Sequence, residues 1–249
     1  MDNTLNYKLI KPDDSLADYV FCFSAFQNLR SISDAVIIPN GKIDLIFTKT
    51  KNNAISVYLI GIETKPKTAN FDVFSFFAVS FNPLAVEYIL QQPIADILNS
   101  ARELPNDFWG FNSDDLNDFD VFCEKASQKI RSLLPKETDE RKRKLFDLIL
   151  AANGEISIKE LSEKVAWSER QINRYFNQQF GLSLKVYCNI LRFQASLSHI
   201  NEGSLYPQLN YTDQSHFIKE IKKLSGVSPK ELFKNDNDRF LQFLAYKKP

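Results

Sequence analysis

Arg170, Asn173, Arg174 and Asn177 follow one another at spacings of three, one and three residues, which on a helix places all four on one face. Their chemistry is recognition rather than catalysis. An arginine can grip guanine O6 and N7 with two N–H groups, and an asparagine can do the same with adenine N6 and N7. Gln171, beside them, carries a similar amide. A second set, Gln214, Ser215, His216 and Lys219, has the same make-up of short or forked polar groups. His216 has an alternative role there as a cap or packing residue. Polar residues on any solvated helix give a similar composition, so the elements that hold these groups must decide the reading.

Those elements are clearly punctuated. Ser157-Ile158-Lys159-Glu160 reads as a capping box, in which the Ser hydroxyl satisfies an orphan N–H and Glu reaches back to the cap. Ser168-Glu169-Arg170-Gln171 and Ser228-Pro229-Lys230-Glu231 fit the same pattern, the latter with Pro where its missing N–H costs nothing. Leu161 and Val165 give the first helix an apolar face. Ile172, Tyr175, Phe176 and Phe180 give the next helix another, and Gly181 is a good stop. Two short helices joined by a brief turn at Ala166-Trp167 make a helix-turn-helix. In the second set, Phe217 and Ile221 face inward.

The stretches Ile156–Val165, Ser168–Phe176, Phe180–Ser183, Leu191-Arg192, Asp213–Phe217 and Gly226–Phe233 together resemble the AraC/XylS family over about a hundred residues. The resemblance implies two helix-turn-helix units joined by a long helix, here about Leu184 to His199, that present recognition helices to successive major grooves. It makes Arg170, Gln171, Asn173, Arg174, Asn177, Gln214, Ser215, His216 and Lys219 the expected DNA-binding residues. Against the family pattern, the chain is about three residues short between Gly203 and Thr212-Asp213-Gln214. Ser204–Tyr211 should then supply barely one helical turn, capped by Ser204 and closed by Asn210 in the left-handed conformation.

The first half reads differently. Val36–Ile38 and Ile43–Phe47 flank Pro39-Asn40-Gly41-Lys42, a signal for a tight turn or hairpin. Val57–Ile62 and Phe71–Phe81 are rich in aromatic and β-branched residues, as strands are. Asn82-Pro83 resembles a helix start, and Asp118–Leu134 has Phe122, Ala126, Ile130 and Leu133 at helical spacing. Ile38–Phe47 and Phe81–Leu84 also resemble, more weakly, a domain that precedes the module in some AraC-type regulators, where it senses a small molecule or makes a dimer. Aromatic richness here fits either an apolar pocket or a Phe-filled core. The expected architecture is an α+β domain over 1–135, strands before helices, followed by an all-α double helix-turn-helix domain over 136–249.

Charge follows the same division. Residues 1–135 carry 12 Lys and Arg against 17 Asp and Glu, a balance of −5, while residues 136–249 carry 19 against 14, a balance of +5. The net zero of the whole chain conceals one half suited to phosphates. Arg141-Lys142-Arg143-Lys144, after the polar break Pro135–Asp139, is either a solvated helix face or a phosphate-contacting run.

Other classes are disfavoured. Both histidines, His199 and His216, lie in the second half, and the chain has neither a P-loop nor a Gly-x-Gly-x-x-Gly run. Three scattered cysteines, Cys22, Cys123 and Cys188, suit buried thiols in a reduced, cytoplasmic protein. No stretch reaches the roughly 20 apolar residues of a membrane span. The expected protein is a DNA-binding transcription regulator, an activator by the family default, with no cofactor, metal or enzymatic activity. Its partners would be double-stranded DNA, a small-molecule effector, a second copy of the chain and RNA polymerase. The alternative is a regulator whose N-terminal domain only dimerises or binds protein partners.

Overall fold

The computed structural model describes residues 6–27, 35–50, 52–69, 75–235 and 240. The chain divides into two compact units. The first takes Met1–Ser31, Lys42–Gly61 and Phe71–Arg143; the second takes Ile32–Gly41, Ile62–Asn70 and Lys144–Pro249. The order expected from the sequence, a sheet-rich region followed by a helical one, is the order of the chain.

The strands are β1 (Asn6–Ile10), β2 (Val20–Gln27), β3 (Ala35–Ile37), β4 (Ile43–Lys49), β5 (Ile55–Ile60), β6 (Lys67–Ala69), β7 (Ser75–Phe81) and β8 (Ala101–Leu104). In the first unit, six of them form a sheet in the order β1-β2-β7-β4-β5-β8. Every pairing in it is antiparallel. Alternation explains its inner face: Ile43, Leu45 and Phe47 of β4 are wholly buried, as are Val57 and Leu59 of β5. The central strand β7 is buried along its whole length, which is why Ser75–Phe81 reads as a nearly continuous apolar run.

Helix α1 (Leu84–Tyr88) is short, and α2 (Phe119–Leu133) covers the inner face. Asp118 caps α2, its carboxylate accepting from the N–H groups of Asp120 and Val121. The Phe122 ring, wholly buried, lies 5.4 Å from Phe47, 5.3 Å from Phe77 and 5.3 Å from Phe111, centroid to centroid. Each such pair adds about 0.5–1.5 kcal/mol beyond area burial. These aromatic residues pack against one another in the core of the first unit.

Two local expectations are corrected. Asn40-Gly41 does turn, with Gly41 at φ +71°, but no hairpin forms. β3 pairs with β6 and β4 pairs with β5 and β7. The segment before β4 is instead held in the second unit, where Tyr187 donates to the Gly41 carbonyl at 3.3 Å and Gln194 to that of Pro39 at 2.5 Å. Asn82 does not cap α1, whose cap residue is Pro83. The Asn82 amide donates to the Ala17 carbonyl at 2.9 Å and its oxygen accepts from Lys42 at 2.9 Å, so it ties three segments together.

Lys42 is 9% exposed, and burial pushes its pKa down to about 8, with Cys22 and Asp44 opposing the shift and Lys11 assisting it. Nearby, burial pushes the Asp44 carboxyl up, although Ser80 donates to it at 2.5 Å. The sign for Lys42 follows. Between about pH 8 and the ordinary lysine value of 10.5, the unfolded chain holds a proton that the folded chain lacks, so stability from this residue rises with pH. Buried thiols titrate in the same range with the opposite sign; Cys22 is pushed up to about 11. The comparison must therefore be with Lys42→Met. From pH 8 to 10.5, urea unfolding should show wild type gaining on the variant by on the order of 3 kcal/mol. A constant difference between the two would show that Lys42 titrates normally.

Helix α3 (Glu140–Ala151) contains the division between the units, at Arg143/Lys144 rather than in the polar break before it. The reason is in its side chains. Arg141 pairs with Asp139 at 2.8 Å, Lys142 with Glu87, and Arg143 with Asp18 at 3.3 Å, all within the first unit. Leu145, Phe146 and Ile149 are buried instead in the second. Three residues of the basic run are thus occupied by carboxylates.

The second unit continues with α4 (Ile158–Val165), α5 (Glu169–Phe180), α6 (Leu184–Asn201), α7 (Gln214–Ser225) and α8 (Pro229–Lys234). Phe176 sits at its centre, 5.8 Å from Phe146, 5.3 Å from Phe180 and 5.6 Å from Tyr187. The serines act as expected: Ser168–Gln171 and Ser228–Glu231 form full capping boxes. At Ser157 only half a box forms, because the Glu160 carboxylate holds Lys164 at 2.7 Å.

Candidate nucleic-acid interface

The first recognition unit is α4, a three-residue turn and α5. Ala166 turns the chain with φ +54°, a left-handed conformation that lets α5 leave α4 at an angle. Ile172, Phe176 and Phe180 bury one face of α5 and fix its rotation. Tyr175 braces its flank, 5.5 Å from the Trp167 ring. What remains outward is polar: Arg170, Gln171, Arg174 and Asn177 are exposed, and Asn173 is half-buried.

These residues share a face, but not all have free tips. The Gln171 oxygen accepts from the N–H and hydroxyl of Ser168, both at 2.9 Å, so its amide serves the helix start. The Asn177 amide donates to the Asn173 carbonyl at 2.8 Å, one turn back on its own helix. The two arginines and Asn173 are the residues with forked groups placed outward.

The second unit is built around α7. Asp213 caps it, accepting from the N–H of His216 at 2.7 Å. Phe217, Ile221 and Leu224 are buried, while Ser215 and Lys219 are exposed. Gln214 points inward: its amide donates to the Leu205 carbonyl at 2.9 Å, and its oxygen is buried without a hydrogen-bond partner among the described residues. His216 accepts from the Thr212 N–H through Nδ1 at 3.2 Å, with its ring edge-on to Tyr211 at 5.7 Å. Both contacts fit the structural one of its two expected roles.

No helical turn forms between Asn201 and Gln214, where the sequence suggests a short one. Asn210 is not left-handed; Gly203, at φ +88°, follows the end of α6 instead. The segment is too short to nucleate a helix, and Pro207 holds the preceding Tyr206 in extended backbone conformations. Tertiary ties replace the missing helix. Arg192 on α6 donates to the Asn210 carbonyl at 2.7 Å, and Glu155 accepts from the Asn210 N–H. Tyr211 is buried, with its hydroxyl 3.0 Å from Ser196, its ring 5.1 Å from Phe217, and the Arg192 guanidinium 5.4 Å from the ring centre. Arg192 and Tyr211 therefore position α7. The sequence carries Leu191-Arg192 inside a recognisable motif, but its spacing does not reveal a clamp 18 residues away.

Among the described residues there is no group of three or more His, Cys, Asp or Glu able to hold a metal. No helix there is long and apolar enough to cross a membrane. All three cysteines are buried, and burial raises the pKa of each.

Residues 8–103, the span of the sheet, match a family described as a domain of unknown function, DUF6597. No curated protein matches the chain. Solved structures similar to it include ToxT from Vibrio cholerae O395, 13% identical, covering 92% of this chain and 96% of that one with a TM-score of 0.44. Unsaturated fatty acid bound wild-type ToxT from Vibrio cholerae strain SCE256 is another, 14% identical, covering 92% of this chain and 94% of that one with a TM-score of 0.42.

Proposed function

We propose that this protein is a transcription regulator that binds double-stranded DNA in a sequence-specific way through its second unit, acting by binding rather than catalysis. The observation that carries the reading is the pair α4 and α5. One face of α5 is locked into the core by Ile172, Phe176 and Phe180, and Arg170, Asn173 and Arg174 are turned outward at the start of the helix. That is the arrangement by which a recognition helix offers its N-terminal side chains to a major groove. The AraC-like motif order and the +5 balance of residues 136–249 support it. Control is assigned to the first unit, through a small-molecule effector or through self-association, with activation as the default mode.

The test is a selection of the full chain against random duplexes. A fragment cut at residue 136 would be a poor reagent, because Pro39 and Gly41 hydrogen-bond to α6 and such a cut removes them. A discrete sequence should be enriched, and affinity for it should fall steeply with salt as counterions are released. With six or more phosphates contacted, the loss between 50 and 200 mM salt would be about a thousandfold or greater. Failure to enrich any duplex at low salt would remove the reading. A thermal-shift screen of the full chain against metabolites would then separate effector binding from self-association, since a ligand of the folded state raises its melting point.

A further inference from the structure

We infer that Tyr206 is a DNA contact, packing against the sugar–phosphate backbone beside α7 and donating its hydroxyl to a phosphate. The inference rests on the DNA-binding reading above. Tyr206 is 70% exposed, the most exposed large hydrophobic residue among the described residues. Its place is specific. The preceding carbonyl, of Leu205, is held at 2.9 Å by the side chain of Gln214, the first residue of α7. The Tyr206 Cα is one peptide step, about 3.8 Å, from that anchored residue. Tyr206 is therefore tethered next to the start of α7, the helix end that a helix-turn-helix inserts into the groove, and Ser215 and Lys219 on that helix are exposed as it is.

The kind of contact follows from what the segment replaces. In a helix-turn-helix the helix before the recognition helix crosses the DNA backbone, and here Ser204–Tyr211 occupies that place without a helix. A side chain there meets sugar and phosphate rather than base edges, and tyrosine hydroxyls are among the groups that bind phosphate oxygens. Pro207 restricts Tyr206 to extended backbone conformations, so the ring is carried on a stiff support. A stiff support and only two side-chain torsions leave little entropy to lose on contact.

Tyr206→Phe and Tyr206→Ala, made in the full chain, test this on the selected duplex and a scrambled one. Tyr206→Phe keeps the ring and should weaken binding roughly tenfold, the scale of a hydrogen bond to a charged group. Tyr206→Ala should weaken it at least as much. Both losses should be similar on the two duplexes, and the slope of log affinity against log salt should stay unchanged, because a phenol displaces no counterion. Lys219→Ala, by comparison, should lower that slope by about one. Thermal melts matching wild type would show that both variants are folded, as expected for an exposed side chain. Wild-type affinity in both variants would overturn the inference and leave the DNA-binding reading intact. A loss confined to the selected duplex would also overturn it, since the ring would then be reading bases. Absence of any duplex binding by wild type would remove both.

Discussion

Gly154→Ala is expected to remove a large part of the stability of the second unit, although the change adds one methyl group. Gly154 follows α3, where its N–H donates to the Ile149 carbonyl at 3.0 Å, and its φ of +74° is one that L side chains rarely adopt. A Cβ there would lie 2.3 Å from the Cys188 carbonyl oxygen and 2.9 Å from the Cys188 carbonyl carbon and Cα. Those are backbone atoms in α6, so no side chain can swing aside. Cys188 itself cannot retreat easily, because Tyr187 and Ile190 beside it are wholly buried. The left-handed conformation costs about 1–2 kcal/mol for a residue with a Cβ, and over-packing adds about 1–3 kcal/mol where side chains can relax. With a rigid helix as the obstacle, a total of about 3 kcal/mol or more is expected, a large part of the stability of an ordinary domain. Gly203→Ala is the control. Its φ is +88°, but its nearest neighbour would be the Phe233 ring at 3.9 Å, so only the backbone term of about 1–2 kcal/mol applies. Thermal or urea unfolding of both variants decides the matter. Equal destabilisation would mean that α3 and α6 separate freely, and the close approach at Gly154 would have no energetic weight.

Much of the second unit was legible because its signals are local. Ser168 and Ser228 announce helix starts within four residues, Gly181 announces a stop, and apolar spacing marks the buried faces. Long-range partners left no such trace. Asn40-Gly41 correctly signals a turn, yet nothing near it shows that β3 will pair with β6, some thirty residues on, rather than with β4. The tips of polar side chains were equally hidden. Helical spacing places Gln171, Gln214 and His216 beside the other candidates, but not the hydrogen bonds that turn them to Ser168, Leu205 and Thr212. The sequence showed that the segment before α7 is short, yet it suggested a helical turn there that does not form. Its replacement by Arg192, Glu155 and Tyr211 was not legible, because that clamp joins three segments far apart in the chain.

That division of polar tips predicts how the two recognition helices share the work. Alanine at Arg170, Asn173 and Arg174 together should remove most of the preference for the selected duplex over a scrambled one. Each forked pairing with a base is worth about 1–3 kcal/mol of discrimination, so the triple variant loses roughly a hundredfold or more in specificity ratio. Alanine at Gln214, His216 and Lys219 should behave otherwise. Gln214 and His216 are committed to the Leu205 carbonyl and the Thr212 N–H, so their loss loosens the approach to α7 instead of removing base contacts. Lys219 is exposed on the same helix, and a lysine there acts mainly as a point charge toward phosphate. This second triple variant should therefore lose affinity to a similar extent on both duplexes, leaving their ratio within about threefold of wild type, an energy of roughly RT. The measurement is the ratio of Kd values on the two duplexes at a single salt concentration. An equal fall in that ratio for both triple variants would show that α7 reads bases as fully as α5 does. The Arg192–Tyr211 clamp would then hold α7 as firmly as a supporting helix, and the assignment of specificity to the first unit of recognition would be wrong.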